Sequence, residues 1–403
     1  MALNVITKLF FLAFCSVIVG CKSKSSSVQE SVVPVEKQTP VINFENISDD
    51  PSRMLRMSDL VASIEYIRPE YPKTLIRFIE KSILTDSLLF VLSSDNLFCY
   101  SRDGKFIREI GHHGRGPTEH LGIRSFSVYQ NTVAINSNFS KIIQLYDLNG
   151  KHIGSTPSGG DAYRIDLLSN ESIALHLGHG ISLKKPDLYI SRIINYQGDT
   201  LAIKNVTPDY QEGRSNPSNF WYYKDSLRIW NELNDTVFSV TNNKIEPRYI
   251  LNFGKYKMPP EVFYDYQNRD RAWRHYILNP SFHETEKYLL IMYQYNNKIW
   301  VSCYEKATNQ LFSWSQEPEY ISEGGYADGG LLNDIDGGKP FYFGMSQSGI
   351  KVTSSAAGSL IEYANSGKIN KNSNELARKK LEALIASLSE EENDVVIVHT
   401  LKP

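Results

Sequence analysis

The chain has 403 residues, with 43 Lys and Arg against 45 Asp and Glu and a formal net charge of −2. That balance gives no basic field to concentrate nucleic acid, and no long block of like charge occurs, so nucleic acid is excluded as a partner. With 24 Tyr, 18 Phe and 5 Trp the composition favours β structure and aromatic contact surfaces, and four cysteines are too few for a disulfide framework.

The N-terminus places Lys8 ahead of an apolar run from Leu9 to Gly20, which has the layout of a secretory signal and is short for a membrane span. The run ends in Ile18-Val19-Gly20-Cys21, which resembles the bacterial lipobox, so residues 1–20 are expected to be a lipoprotein signal peptide and Cys21 the lipidated first residue of the mature chain. Residues 21–40 are polar, rich in Ser and contain Pro, and hold too little apolar surface to fold; they are expected to be a disordered tether from the lipid. Lys22 is not the Asp that retains lipoproteins in the inner membrane, which favours the outer membrane by analogy. The basic, polar residues after Cys21 differ from the acidic signal of surface lipoproteins and favour the periplasmic face.

From Ile83 onward, short apolar or alternating runs are separated by turn residues in one recurring figure: strand, strand, tight turn, strand. Taking Gly104, Gly150, Gly198, Asn243 and Gln310 as equivalent turn positions, the steps are 46, 48, 45 and 67 residues. Strand-rich units of this period predict an all-β fold, a β-propeller of four-stranded antiparallel blades, because each blade has apolar faces that only its neighbours can cover. Five turns are visible, and the stretch from Asp336 to Leu401 can supply a sixth blade, with Lys339–Ser346 among its strands. The strand Ser63 to Pro69 is free to complete that blade and close the ring. Six blades is the expected count and seven the alternative, in a single domain over 41–403. The excess step implies a short helical insertion at about 255–288, and a C-terminal helix is expected before the last strand. Cys99 and Cys303 lie in strand-like apolar runs and read as core thiols.

The stretch from Gly104 to Val128, with its Asp-Gly turn, aromatic strand, Gly-rich loop and Gly-Ile, resembles an NHL-type propeller repeat. The whole chain resembles the six-bladed β-propeller lipoproteins of gut Bacteroidetes. The features that match are the lipobox, the Gly-Arg-Gly-Pro-x-Glu loop from Gly114 to Glu119, the RYILNFGKYKMP segment from Arg248 to Pro259, the NDIDGG stretch from Asn333 to Gly338, and the terminal strand. The resemblance implies fold and address; it carries no general activity.

Ligand-binding candidates fall in two places. The loop 111–120 concentrates His112, His113, Arg115, Glu119 and His120, which could hold an anion or a metal, or could be a blade connection in which Gly and Pro117 set the path. The insertion carries Arg269, Trp273 and Arg274, which could stack on and clamp a glycan or carboxylate, or pack on blade edges. His176 and His179 could join the loop imidazoles in a metal site, although a spacing of three does not put two strand residues on one face. Asp328, Asp334 and Asp336 invite a Ca²⁺ reading, but Leu332 and Phe343 stand at the first and twelfth positions of an EF-type loop, so a tight turn is the expected role. No nucleophile elbow, His-Glu-x-x-His or phosphate loop occurs, so no catalytic residue, metal or cofactor is assigned. The expected function is a membrane-anchored, non-catalytic binding or scaffold module whose partner is a glycan, peptide or envelope protein. The alternative is a metal-dependent lyase or hydrolase at the channel mouth.

Overall fold

Along the middle strands of the chain, neighbouring apolar residues serve different interfaces. Leu89 and Val91 pack toward Val396 and Val398, whereas Phe90 and Leu92 pack toward Phe126 and Val133. Side chains of a strand alternate faces, so a strand clad on both sides reads as a continuous apolar run. A computed structural model describes residues 38–403, apart from 72–75, 77, 139, 160–161, 177–188, 207–217, 242, 266–272, 319 and 322–326. Cys21, the signal, most of the tether, His179 and Arg269 lie outside the described residues, as does the side chain of Trp273.

Six sheets form a six-bladed propeller. Blade 1 comprises Lys81–Leu84, Leu88–Ser93, Asn96–Ser101 and Phe106–Glu109; blade 2 comprises Ile123–Tyr129, Thr132–Ser137, Ile142–Asp147 and His152–Pro157. Blade 3 runs from Arg164–Leu167 through Ser172–His176 and Tyr189–Asn195 to Thr200–Asn205. Blade 4 runs from Ser218–Tyr223 through Ser226–Asn231 and Thr236–Thr241 to Lys244–Asn252, and blade 5 from Leu278–Glu284 through Tyr288–Tyr295 and Lys298–Glu305 to Gln310–Gln316. In each of these blades the first strand is innermost. One apolar cluster fills each blade interface. The heaviest lies between blades 4 and 5, where Trp221 stacks on Phe282 with centroids 4.5 Å apart. Burial fades outward: Ser172–His176 is buried throughout, and Thr200–Asn205 has no buried residue.

The repeating turn has a steric cause. Gly104, Gly150 and Gly198 have φ of 90°, 79° and 92°, and Asn243 and Asn309 take φ of 61° and 58° at the same place in blades 4 and 5. A Cβ at Gly104 would meet Arg68 O at 2.5 Å, and one at Gly198 would meet Pro157 O at 2.9 Å. The three glycine turns press on the outer strand region of the preceding blade, so left-handed backbone and close approach both favour glycine there. In blade 5 the left-handed position is Asn309, one residue before the Gln310 that spacing suggests.

Blade 6 closes the ring with both chain ends. Val395–Leu401 lies between Ile350–Ser355 and the N-terminal strand Val61–Ile67, antiparallel to each. This blade has three strands, and Lys339–Ser346 is not one of them: Phe341 makes only an isolated bridge to Leu331. Two helices, Ala357–Asn365 and Glu375–Ala386, fill the connection before the last strand and pack through Leu360, Leu381 and Ile385. Asn374 caps the second by accepting from Ala377 N at 3.1 Å.

Upstream, the chain wraps the rim of three blades. Val41–Asn43 adds a parallel strand to the edge of blade 4, with Phe44 fully buried against Phe253 at 4.8 Å. Asp49 accepts from Ser315 N on blade 5 at 2.8 Å. Ser58 then donates its N–H and hydroxyl to Asp334 at 2.9 and 2.6 Å. Within the NDIDGG stretch Asp336 accepts from Gly338 N and Asn333 Nδ2, and from outside it Asp336 accepts from Tyr66 Oη at 2.8 Å. Its two carboxylates hold the N-terminal arm to the ring. Cys99 and Cys303 are free and buried.

Candidate functional site

A cavity of ≈ 650 Å³ opens at the propeller axis, within the usual range of about 300–1,000 Å³ for small-molecule sites. Inner strands of blades 1, 2, 3, 4 and 6 contribute to its wall. Beside blade 5 the segment after Phe341 takes part instead. Gly344 N donates to Phe282 O at 3.1 Å, Ser346 Oγ to Tyr222 O of blade 4 at 3.3 Å, and the Gln347 side chain exchanges two 3.0 Å bonds with the Leu84 backbone of blade 1. This segment therefore ties three blades together across the axis.

The charges in the wall come from the inner strands. Arg164 and Asp166 lie two apart on one strand and so share a face; the guanidinium grips the carboxylate through Nε at 2.6 Å and Nη2 at 2.7 Å. His176 Nε2 stands 3.2 Å from Asp166, and Tyr222 Oη donates at 3.4 Å. Burial opposes ionisation of Asp166, but Arg164 overcomes it and holds the carboxyl well below the ordinary range. Arg164 is 5% exposed, and its Nη1 has no hydrogen-bond partner.

Two lysines face the same cavity. Lys81 Nζ donates to Phe126 O at 2.7 Å and Lys351 Nζ to Met345 O at 3.2 Å. Among the described residues neither has a carboxylate within ion-pair distance. Burial, with Arg164 nearby, lowers the Lys81 ammonium to about 7, and burial lowers Lys351 to about 8. Glu80 and Asp225, the other acidic groups on the wall, are exposed. Beside Lys351 stand His283 and His399, both buried against Phe341; burial and the Lys351 charge push them down to about 3 and about 4.

The histidine loop lies between blades 1 and 2. Its Glu119 carboxylate accepts from Gly116 N at 2.6 Å and occupies the space that a Cβ on Gly114 or Gly116 would need. Tyr146 Oη donates to Thr118 O at 2.8 Å. His120 is buried without a partner on either ring nitrogen, and burial with His113 nearby lowers it to about 4. His112, His113 and Arg115 are exposed. In the insertion, Tyr264 is buried, Arg274 is exposed, and Lys257 pairs with Asp235 at 2.8 Å. None of the described candidates from loop or insertion lines the axial cavity. Among the described residues no three of His, Cys, Asp and Glu are placed to hold a metal ion.

The lining lysines carry little sequence signal. Lys81 opens one strand and Lys351 is the second residue of another, and nothing local shows that residues 81, 164 and 351 face one space; ring closure does that.

The family described as "Domain of unknown function (DUF4934)" matches residues 39–400. No curated protein matches the chain. Among solved structures, a candidate exported protein from Bacteroides fragilis NCTC 9343 aligns with a TM-score of 0.63 at 16% identity, over 90% of this chain and 100% of that one. A member of the DUF4221 family from Bacteroides vulgatus ATCC 8482 aligns with a TM-score of 0.43 at 10% identity, over 85% and 97%. The first likeness speaks to the fold.

Proposed function

The chain belongs to the DUF4934 family, and from that premise we propose that it is a non-catalytic ligand-binding module of the cell envelope, holding a small molecule in its axial cavity. The observation that carries this reading is the cavity itself: five blades and the cross-axis segment surround it, and its charged groups come from rigid inner strands. The address rests on sequence, namely the signal run and the lipobox ending at Cys21, and agrees with the exported character given to the Bacteroides fragilis protein of like fold. The reading places the propeller on the outer membrane by its lipid, on the periplasmic face, as a receptor for a glycan, peptide or other envelope component.

Native mass spectrometry of the protein purified from an envelope fraction, beside a Ser82→Trp variant that fills the cavity, tests the site. A small-molecule adduct present in the parent and lost in the variant supports it; an adduct retained in the variant moves the site elsewhere. One metal ion per chain, lost on His112→Ala/His113→Ala, would replace this reading with a metal-dependent lyase or hydrolase. Cys21→Ser tests the anchor and should release the chain from the membrane fraction.

A further inference from the structure

Among the described residues, three cations of the cavity wall share one buried carboxylate. Lys81, Arg164 and Lys351 face the cavity from blades 1, 3 and 6. Asp166 is already taken by two guanidinium nitrogens, His176 and Tyr222. Glu80 and Asp225 remain exposed. Arg164 Nη1 is buried and unbonded, and each lysine spends its ammonium on one backbone carbonyl. A buried cation without a counter-ion weakens a fold, so its presence at a cavity wall calls for an anion from outside. Ser82, Ser348 and Ser354 line the same wall.

We infer that the cavity takes an oxyanion carried on a small hydroxylated molecule, gripped between Lys81, Arg164 and Lys351. The inference rests on the cavity being the ligand site. The oxyanion supplies the missing counter-charge, and the serines meet the hydroxyls of the body that carries it. Bringing an anion against two ammonium groups whose proton affinity burial has lowered restores that affinity, so binding takes up protons between about pH 7 and 9.

Calorimetry tests this on the chain from Thr39 onward, which contains every strand of the ring. The probes are glucuronate, glucose 6-phosphate and glucose, each titrated at pH 8 in two buffers of different ionisation enthalpy. We expect the two oxyanions to bind with proton uptake and glucose not to bind; the stronger of the two names the source, carboxylate or phosphate. Lys81→Gln and Lys351→Gln should each weaken binding by about tenfold or more, the scale of a lost charged hydrogen bond, and each should raise the melting temperature of the ligand-free protein. Glucose binding as tightly as the oxyanions would overturn the inference and leave the cavity reading intact. Failure of both oxyanions, or unchanged binding in both variants, would overturn it too, and the adduct experiment with Ser82→Trp would then decide the cavity reading separately.

Discussion

Glu284 and Lys351 are both buried charges on the inner strands of adjacent blades, and they are treated in opposite ways. Glu284 receives Arg228 Nε at 3.0 Å, Tyr249 Oη at 2.8 Å and Lys306 Nζ at 2.8 Å. Burial alone would raise its pKa, but Arg228 and Lys306 hold it below the ordinary value. Lys351 has one carbonyl and two neutral imidazoles for company. A charge that the fold needs is surrounded by its own partners; a charge with none raises the question of what it is kept for.

That contrast can be broken most sharply at Glu284. Glu284→Ala strands Arg228 and Lys306 in the interface of blades 4 and 5, and chemical denaturation should register a loss of about 3–5 kcal/mol, the usual effect of halving a buried ion pair. If the loss is below about 1 kcal/mol, the cluster does not tie blades 4 and 5 together.

The buried imidazoles, two beside Lys351 and one in the histidine loop, give the next effect. His283, His399 and His120 have folded-state values of about 3, 4 and 4, against an ordinary 6.5. The unfolded chain binds more protons below pH 6.5, so their contribution is full above that pH and is lost as pH falls toward 4. Melting temperature measured from pH 7 to pH 4 should fall, and His283→Phe should flatten the decline.

Lys351 itself has the same pH sign in a higher window. Its depressed value means that the unfolded chain holds the proton between about pH 8 and 10.5, so stability rises over that window. Lys351→Met should stabilise the ligand-free protein at pH 7 by on the order of 1–3 kcal/mol and erase most of the alkaline rise. Destabilisation instead would make Lys351 a structural residue. The smallest effect belongs to Glu119→Gln, which keeps an acceptor for Gly116 N but weakens it; a loss of about 1 kcal/mol is expected, with any binding in the axial cavity unchanged.

The ring was legible in the sequence because its causes are local. A left-handed turn at Gly104, Gly150 and Gly198 recurs wherever a blade must press on its neighbour, and alternating apolar runs follow from two-sided packing. The free strand before the first visible blade indicated closure. Blade 6 was harder to read: Lys339–Ser346 looks like a strand by alternation, but Phe341 and Phe343 are buried against His283, and the segment continues across the axis. The parallel strand Val41–Asn43 was missed for the same kind of reason, since three residues carry no period. The histidine loop stood out because its residues are adjacent in sequence. The axial charges did not, because residues 81, 164 and 351 meet only through the closed circle.

The position of the last strand also sets an order of assembly. Val395–Leu401 is the middle member of its sheet, flanked by the earliest long strand and by Ile350–Ser355, and Lys402 N binds Leu60 O at 2.7 Å. The circle therefore cannot shut before Val395–Leu401 has been made and released: until then Val61–Ile67 has no strand partner and five blades form an open arc. Pairings this distant in sequence are slow to form. Until that strand is in place the ring stays open, and the axial cavity comes into existence in the same event that joins Val61–Ile67 to Ile350–Ser355.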